Sequence, residues 1–429
     1  MKDSGIDWIG KIPDEWEIYQ LSQVVTQVKN KNTNLQEKNL LSLSYGKIKR
    51  KNIDSNDGLL PASFDGYNII ENGDIALRLT DLQNDHTSLR VGRATEKGII
   101  TSAYTTLRPM NKDNSRFLYY LLHAFDLKKG FYGMGAGVRQ GLNYSEVKSL
   151  KIILPNDKSE QTKIANFLDK KCAQIDSIIE ESKKSIEEYK SWKQSMIFEA
   201  VTGKNLSCKK KDSGIEWLGE IPEEWEVQRL KSYFNFKKGL PITKENLEDS
   251  GISVISYGQI HSKNNNGVSI CNELIRFVDK SYLKSNSESL VKKGDFIFAD
   301  TSEDLEGCGN CAYVNSDEII FAGYHTIIFS SKYQNENKYL AYLFLTDAWR
   351  TQIRCNCSGV KLFSITKKIL SKVSIILPPL SEQESIANFL EKKCTQIDSL
   401  ISEKQSLIKD LAEYKKSLIF EAVTGKRRV

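Results

Sequence analysis

Apolar positions divide the chain into four stretches. From Ser159 to Lys204, and again from Ser381 to Lys426, they recur at intervals of three and four residues. The first set is Leu168, Ile175, Ile178, Ile179, Ile186, Tyr189, Trp192 and Met196; the second is Leu390, Ile397, Leu400, Ile401, Ile408, Leu411, Tyr414 and Leu418. That period predicts two long amphipathic helices. Prolines stop at Pro155 and Pro379, and Gly203 and Gly425 close the patterns, as helix C-termini should. Ser381 with Glu384 reads as a capping box, and Ser159 as the cap of the first helix. Roughly 40 helical residues span about 60 Å, and a stripe that long needs a partner. The other copy is the obvious one, packed antiparallel. Elsewhere, short β-branched runs (Ile99 to Thr101, Lys151 to Leu154, Ile319 to Phe321) alternate with turn signals at Glu71 to Asp74 and Lys293 to Asp295. Helices are expected at Phe117 to Phe125 and Tyr339 to Trp349. The fold class is α/β (α+β): two globular domains, two long antiparallel helices, and an internal duplication.

The duplication is explicit. Lys2 to Ile18 matches Lys211 to Val227 at 12 of 17 positions, and 159–204 matches 381–426 without gaps at 28 of 46. The stretch Ile197 to Lys204 recurs letter for letter at Ile419 to Lys426. Between these blocks, residues 19–158 and 228–380 share only anchors such as Ser44-Tyr45-Gly46 with Ser256-Tyr257-Gly258, and Gly73-Asp74 with Gly294-Asp295. The period is too long for a solenoid. The expected organisation is a first globular domain over 1–158, a helix over 159–204, a linker at 205–210, a second globular domain over 211–380, and a second helix with tail over 381–429. Near-identical helices imply one job done twice; divergent globular parts imply two different jobs.

Composition narrows the class. The chain has 429 residues, 40% hydrophobic and 27% charged, an ordinary globular balance. No apolar run approaches the roughly 18 residues of a membrane span, and the N-terminus lacks a signal-peptide pattern, so a cytoplasmic protein is expected. The net charge of +6 permits nucleic-acid binding without arguing for it. Enzyme signals fail on inspection. Gly5, Gly10 and Lys11 have phosphate-loop spacing but lack the following hydroxyl residue, and the repeat carries Glu220 instead of the lysine. Gly133, Gly135 and Gly137 follow a helix rather than a strand and read as a loop. No catalytic set and no cofactor of its own are expected for this chain. Cys172 and Cys394, on the helices, read as small buried hydrophobes. Cys308, Cys311, Cys355 and Cys357 are a weak zinc candidate, disfavoured by the Cys-x-Cys spacing and by the lack of a counterpart in the first half.

Two motifs carry a resemblance. The segment G-I-x-W-[IL]-G-x-I-P-x-x-W-E and the helix E-Q-x-x-I-A-x-F-L…I-D…A-V-T-G-K each occur twice, in alternating order. The loops Gly137-Val138-Arg139 and Gly359-Val360-Lys361 precede the last strand of each variable part. With them the whole chain resembles the specificity subunits of type I restriction-modification systems. The resemblance implies two target-recognition domains reading a bipartite double-stranded DNA site, with the helices docking two methyltransferase subunits. S-adenosylmethionine would serve the methyltransferase that modifies adenine, and ATP and Mg²⁺ the restriction subunits, up to two, that can join. A protein-interaction scaffold, or a guide for a methyltransferase outside type I, are the alternatives.

Candidate DNA contacts follow from residue chemistry. Lys47, Lys49, Arg50 and Lys51 form a basic run after the first Ser-Tyr-Gly anchor, suited to phosphates. The matched stretch holds Gln259, His261, Lys263, Asn264, Asn265 and Asn266, whose amides suit adenine edges. Arg78, Arg90 and Arg93 could read guanine. Arg139 and Gln140 and, in the second half, Lys361 occupy the Gly-Val loops. Tyr104 and Tyr324 are read as core.

Overall fold

A computed structural model describes residues 1–52, 63–85, 87–134, 141–333, 337–359 and 361–429. Both striped stretches are single helices, Lys158–Thr202 and Leu380–Val423. Their starts differ from the expected caps. The Asp157 carboxylate, rather than Ser159, accepts at the first helix, from the Ser159 N–H at 2.8 Å. The second helix begins directly after Pro378-Pro379, so Ser381 lies within its first turn and the Pro379 carbonyl accepts from Glu382 N–H at 2.9 Å. The C-terminal glycines are as expected, with φ of +66° at Gly203 and +70° at Gly425. A Cβ at Gly203 would fall 2.6 Å from Pro222, and one at Gly425 2.3 Å from Pro13, so both ends need glycine for closeness as well as conformation.

The chain forms two compact units, one of residues 1–183 with 404–429, the other of residues 184–403. Each holds the start of one long helix and the end of the other. In the first unit Trp16 donates to Glu160 at 3.2 Å and packs near Gly425, while Asp176 pairs with Lys415 at 2.5 Å. The helix segments therefore run antiparallel. The second unit repeats the arrangement with the equivalent residues: Trp225 donates to Glu382 at 2.8 Å and packs near Gly203, and Asp398 pairs with Lys193 at 2.7 Å. Arg116 pairs with Asp169 in the first unit, and the matched Lys338 with Glu391 in the second. Apolar stripes of both helices enter each core. Leu168 and Ile175 meet Leu418 and Val423 in one; Ile197 and Val201 meet Leu390 in the other. Cys172 and Cys394 lie buried in these seams, their thiols pushed up by burial, to about 11 for Cys172.

The globular parts share a frame. A four-stranded antiparallel sheet runs Val25–Gln27, Thr105–Pro109, Ile75–Leu77, Val91–Arg93 in the first unit. Its counterpart runs Phe234–Lys238, Thr326–Ser331, Phe296–Ala299, Cys311–Tyr313. A strand pair leads into each helix, Trp16–Gln20 with Lys151–Pro155 and Glu226–Arg229 with Ser374–Leu377. Outside this frame the units differ. The first carries a hairpin, Leu41–Ser44 with Lys47–Arg50. The second has instead a mixed four-stranded sheet containing the parallel pair Ile252–Ile255 and Ile320–Ala322. Tyr104 and Tyr324 are half-buried against the smaller apolar clusters of their units. The expected helix at 117–125 runs Ser115–Leu127. That at 339–349 is broken into Lys338–Leu345 and Asp347–Arg354, because the Thr346 hydroxyl caps the second piece by accepting from Trp349 N–H at 3.4 Å.

His123 marks one difference with a measurable consequence. It is buried on the Ser115–Leu127 helix with Nδ1 unpartnered, and burial, helped by Lys415, lowers its pKa to about 4; the matched residue is Leu345. The folded pKa lies below the unfolded value of 6.5, so protonation favours unfolding. The stabilisation is present above pH 6.5 and is lost as pH falls towards 4. Urea melts should show about 2 kcal/mol of extra destabilisation at pH 5 relative to His123→Leu. Parallel pH dependences in the two proteins would refute this.

Candidate nucleic-acid interface

In the second unit, strand pairing gathers loops distant in sequence. Thr301–Ser302 pairs with Phe363–Ser364, and Ile365 N–H donates to the Asp300 carbonyl at 2.7 Å. His261 Nε2 donates to the Thr301 carbonyl at 2.8 Å, and its Nδ1 accepts from the Asn310 amide at 3.2 Å. The stretch 259–266 and the loop at Gly359 and Lys361 are thus joined through 300–302. A cleft of about 800 Å³ opens beside them, lined by Tyr257, His261, Asn310, Asp304, Glu306 and Arg350.

The amide candidates are mostly committed to the fold. Gln259 Oε1 accepts from Ser256 N–H at 3.1 Å. The Asn265 amide donates to the carbonyls of Ile260 and Cys311 at 2.8 and 2.9 Å. Asn266 Oδ1 accepts from the N–H groups of Val268 and Ser269 at 3.0 and 2.9 Å. Asn265 and Asn266 therefore shape the loop, an arrangement their residue types alone do not distinguish from base reading. Lys263, Asn264 and Lys361 are exposed.

The first unit closes its loops in the same way, Leu142 N–H donating to the Leu79 carbonyl at 2.8 Å. Arg139 and Gln140, with the loop glycines Gly135 and Gly137, lie outside the described residues, as does Val360 of the second loop. Lys49 and Lys51 are exposed. Lys47 reaches Asp176 at 3.1 Å, and Arg50 holds Glu96 through paired hydrogen bonds, Nε at 2.9 and 2.8 Å. Arg78 is half-buried and lies 3.7 Å from Asp85. Arg93 donates to Ser115 Oγ at 2.8 Å, tying its strand to the helix start, and burial lowers its pKa.

Arg90 must be withdrawn as a base reader. It is 0% exposed, and its guanidinium donates to the carbonyls of Arg78, Thr80, Asp81 and Asp85 and to the Tyr132 hydroxyl. One side chain thereby supports the whole 78–85 loop. Arg90→Met would leave several buried acceptors without a donor and should cost about 3 kcal/mol. Urea denaturation tests this; a loss under about 0.5 kcal/mol would place the loop's support elsewhere.

The cysteines do not assemble a four-thiolate site. Cys308 and Cys357 touch, Cys311 is buried beside Arg350, and Cys355 is exposed. Burial pushes the Cys308 and Cys311 thiols up to about 12. Among the described residues no group of three or more His, Cys, Asp or Glu is placed to hold a metal. Residue chemistry also passed over Tyr45 and Tyr257, inside the matched anchors. Tyr45 caps the hairpin, whereas Tyr257 sits on the helical turn Tyr257–Ile260 with its ring 5.6 Å from Tyr324. The Ser-Tyr-Gly match was the available signal.

The family model for the type I restriction modification DNA specificity domain matches residues 13–188 and 222–410. The chain belongs to this family. Similar curated proteins include the MjaVIII specificity subunit of Methanocaldococcus jannaschii, 24% identical over 430 residues (98% of this chain, 94% of that one). The putative MjaX specificity subunit of the same organism is 27% identical over 447 residues (98% and 96%). Among solved structures, the HsdS subunit of Thermoanaerobacter tengcongensis aligns with a TM-score of 0.55 at 14% identity, over 97% of this chain and 98% of that one. A chain from a study of type I R-M complex assembly and conformational transition aligns at 0.66 and 15%, over 97% and 100%. These two likenesses show the fold. The protein is thus a DNA specificity subunit of a type I system. A specificity subunit should separate constant from variable parts, and here the main helix ion pairs and tryptophan contacts recur at matched positions while the loops around Tyr45 and Tyr257 differ. Among the described residues no helix is long and apolar enough to cross a membrane.

Proposed function

We propose that the recognition domains, residues 1–158 and 211–380, each read one half of an asymmetric bipartite DNA target. The helices at 159–204 and 381–429, joined to the next module through 205–210, set the spacing of the halves. They also offer one docking surface twice, to two methyltransferase subunits that methylate adenine at N6 using S-adenosylmethionine. Restriction subunits carrying ATP and Mg²⁺ complete the cutting form. This chain provides the address and the chemistry belongs to its partners.

One observation carries the reading. Apolar side chains stay exposed at matched positions on both helices: Ile178 and Leu400, Trp192 and Tyr414. Ile178 and Tyr414 flank the Asp176–Lys415 pair in sequence, and Trp192 and Leu400 flank the Lys193–Asp398 pair. Each unit thus exposes the same two apolar helix positions and carries the same ion pair, a repetition that suits two copies of one partner. In the readers, Lys49, Lys51, Lys263 and Lys361 are the favoured phosphate contacts, and Arg78 and Asn264 the favoured base contacts. Co-expression with the methyltransferase subunit in a methylation-free host, followed by single-molecule sequencing, tests the reading. A split motif with adenine modified on both strands is expected. No motif from a soluble, associated complex would overturn it in favour of a protein-binding scaffold.

A further inference from the structure

The hairpin Leu41–Ser44 with Lys47–Arg50 turns through only Tyr45 and Gly46, both at positive φ, +47° and +74°. Two-residue turns of this kind favour Asn-Gly or Asp-Gly, because a bulky side chain is penalised at the first position. Tyrosine is nevertheless there, and its side chain is 84% exposed, more than any other large hydrophobic residue named in either unit. Among the described residues no hydrogen bond, ring contact or apolar cluster includes the ring. The tip itself is fixed: the Tyr119 hydroxyl donates to the Gly46 carbonyl at 3.4 Å, Lys47 is held by Asp176, and a Cβ on Gly46 would press within 3.1 Å of Leu89. The turn therefore holds an unused aromatic ring out to solvent, at a conformational penalty a better turn residue would avoid.

The face behind the ring suits DNA. Opposed residues of an antiparallel pair share a face. Leu41, Leu43 and Ile48 turn inward, which leaves half-buried Ser42 and Ser44 and exposed Lys49 on the opposite face behind Tyr45, with Lys47 of that face tied to Asp176. A two-stranded ribbon of hydroxyls and amines fits the major groove. The matched Tyr257 is placed differently, half-buried with its ring 5.4 Å from His325 and 6.2 Å from His261. We propose that Tyr45 is a specificity-determining contact of the first recognition domain, its ring making an apolar contact with a base edge, such as a thymine methyl, in the major groove of the first half of the target. This rests on the two-reader function above.

The test uses the full chain with its methyltransferase subunit. Tyr45→Asn removes the ring and supplies a residue the turn prefers, so the melting temperature should hold or rise. Affinity for target DNA should fall about tenfold or more, in line with the loss of one base contact in a duplex site. Methylation should lose selectivity at a position in the first half-site and keep the second half-site unchanged. Tyr45→Phe, which keeps the apolar ring, should stay within about twofold of wild type. Three results would overturn the proposal: wild-type affinity and motif in Tyr45→Asn, an equal loss in Tyr45→Phe, or loss of methyltransferase association in place of DNA affinity. A wild-type complex with no split motif would remove the two-reader function itself, an outcome distinct from an unchanged variant measured against an intact wild-type motif.

Discussion

Residues 1–210, expressed alone, should assemble as a symmetric dimer and, with the methyltransferase subunit, direct methylation to a palindrome built from the first half-site twice. The first unit is incomplete without the end of the second helix. Leu418, Ile419, Ala422 and Val423 are almost fully buried in its core, and each large apolar side chain left exposed costs about 1.5–3 kcal/mol. The truncated chain lacks those residues but carries their equivalents, Met196, Ile197, Ala200 and Val201. The stretch 197–204 is identical to 419–426, so a second copy can place Gly203 against Pro13 and Trp16 as Gly425 is placed now. Asp176 of one copy would meet Lys193 of the other, twice, in place of the Asp176–Lys415 and Lys193–Asp398 pairs. Leucine-for-methionine differences at position 196 are of the tolerated, volume-conserving kind. Light scattering gives the mass, and single-molecule sequencing gives the motif. A soluble monomer, or a dimer that directs methylation to a non-palindromic site, would refute the equivalence of the helix ends.

What could be read in advance follows from the range of each interaction. The helices were legible because their stripe persists over more than 40 residues and is written twice. Their ion pairs were not read in advance: Asp176 and Lys193 recur at Asp398 and Lys415, but so do most positions of the repeat, and only the fold brings the paired residues together. The exact caps were less legible: Asp157 and the Pro378-Pro379 pair outcompeted the serines. The break at Thr346 has a local signal, a threonine before an aspartate, which the apolar run around it masks. The reading loops are a different case. Whether an arginine faces DNA or its own backbone depends on carbonyls brought from elsewhere in the fold, as around Arg90, and an asparagine's amide is equally suited to Cys311 and to adenine. Arg139 and Gln140 fall outside the described residues, so their place in the Gly-Val loop rests on the motif alone.

Replacing residues 228–380 by residues 19–158 should convert the target of the full-length chain to the same palindrome. The graft keeps the main contacts through which a reader meets its helices, losing the hydrogen bond from the Tyr339 hydroxyl to the Val201 carbonyl, since the incoming residue is Phe117. Trp225, Glu382 and Gly203 lie outside the exchanged segment and continue to form the junction. The pair Lys338–Glu391 would be re-formed by the incoming Arg116, since arginine already holds the matching acid, Asp169, in the first unit. The strand pair Glu226–Arg229 with Ser374–Leu377 would be rebuilt from Tyr19 to Pro155, which make the equivalent pair in the first unit. What changes is confined to the loops: the His261–Thr301–Asn310 arrangement gives way to a second copy of the Tyr45 hairpin and the Arg90-supported loop. The reciprocal graft, 228–380 in place of 19–158, should yield the other half-site as its own palindrome. Together the two grafts and the truncated chain make a closed set, because two of the three must give one identical motif. A graft that folds, associates with the methyltransferase and still directs methylation to the original split site would mean that recognition lies outside the exchanged segments. A graft that alters both halves into sequences unrelated to either parent half-site would mean that the two readers act as one surface.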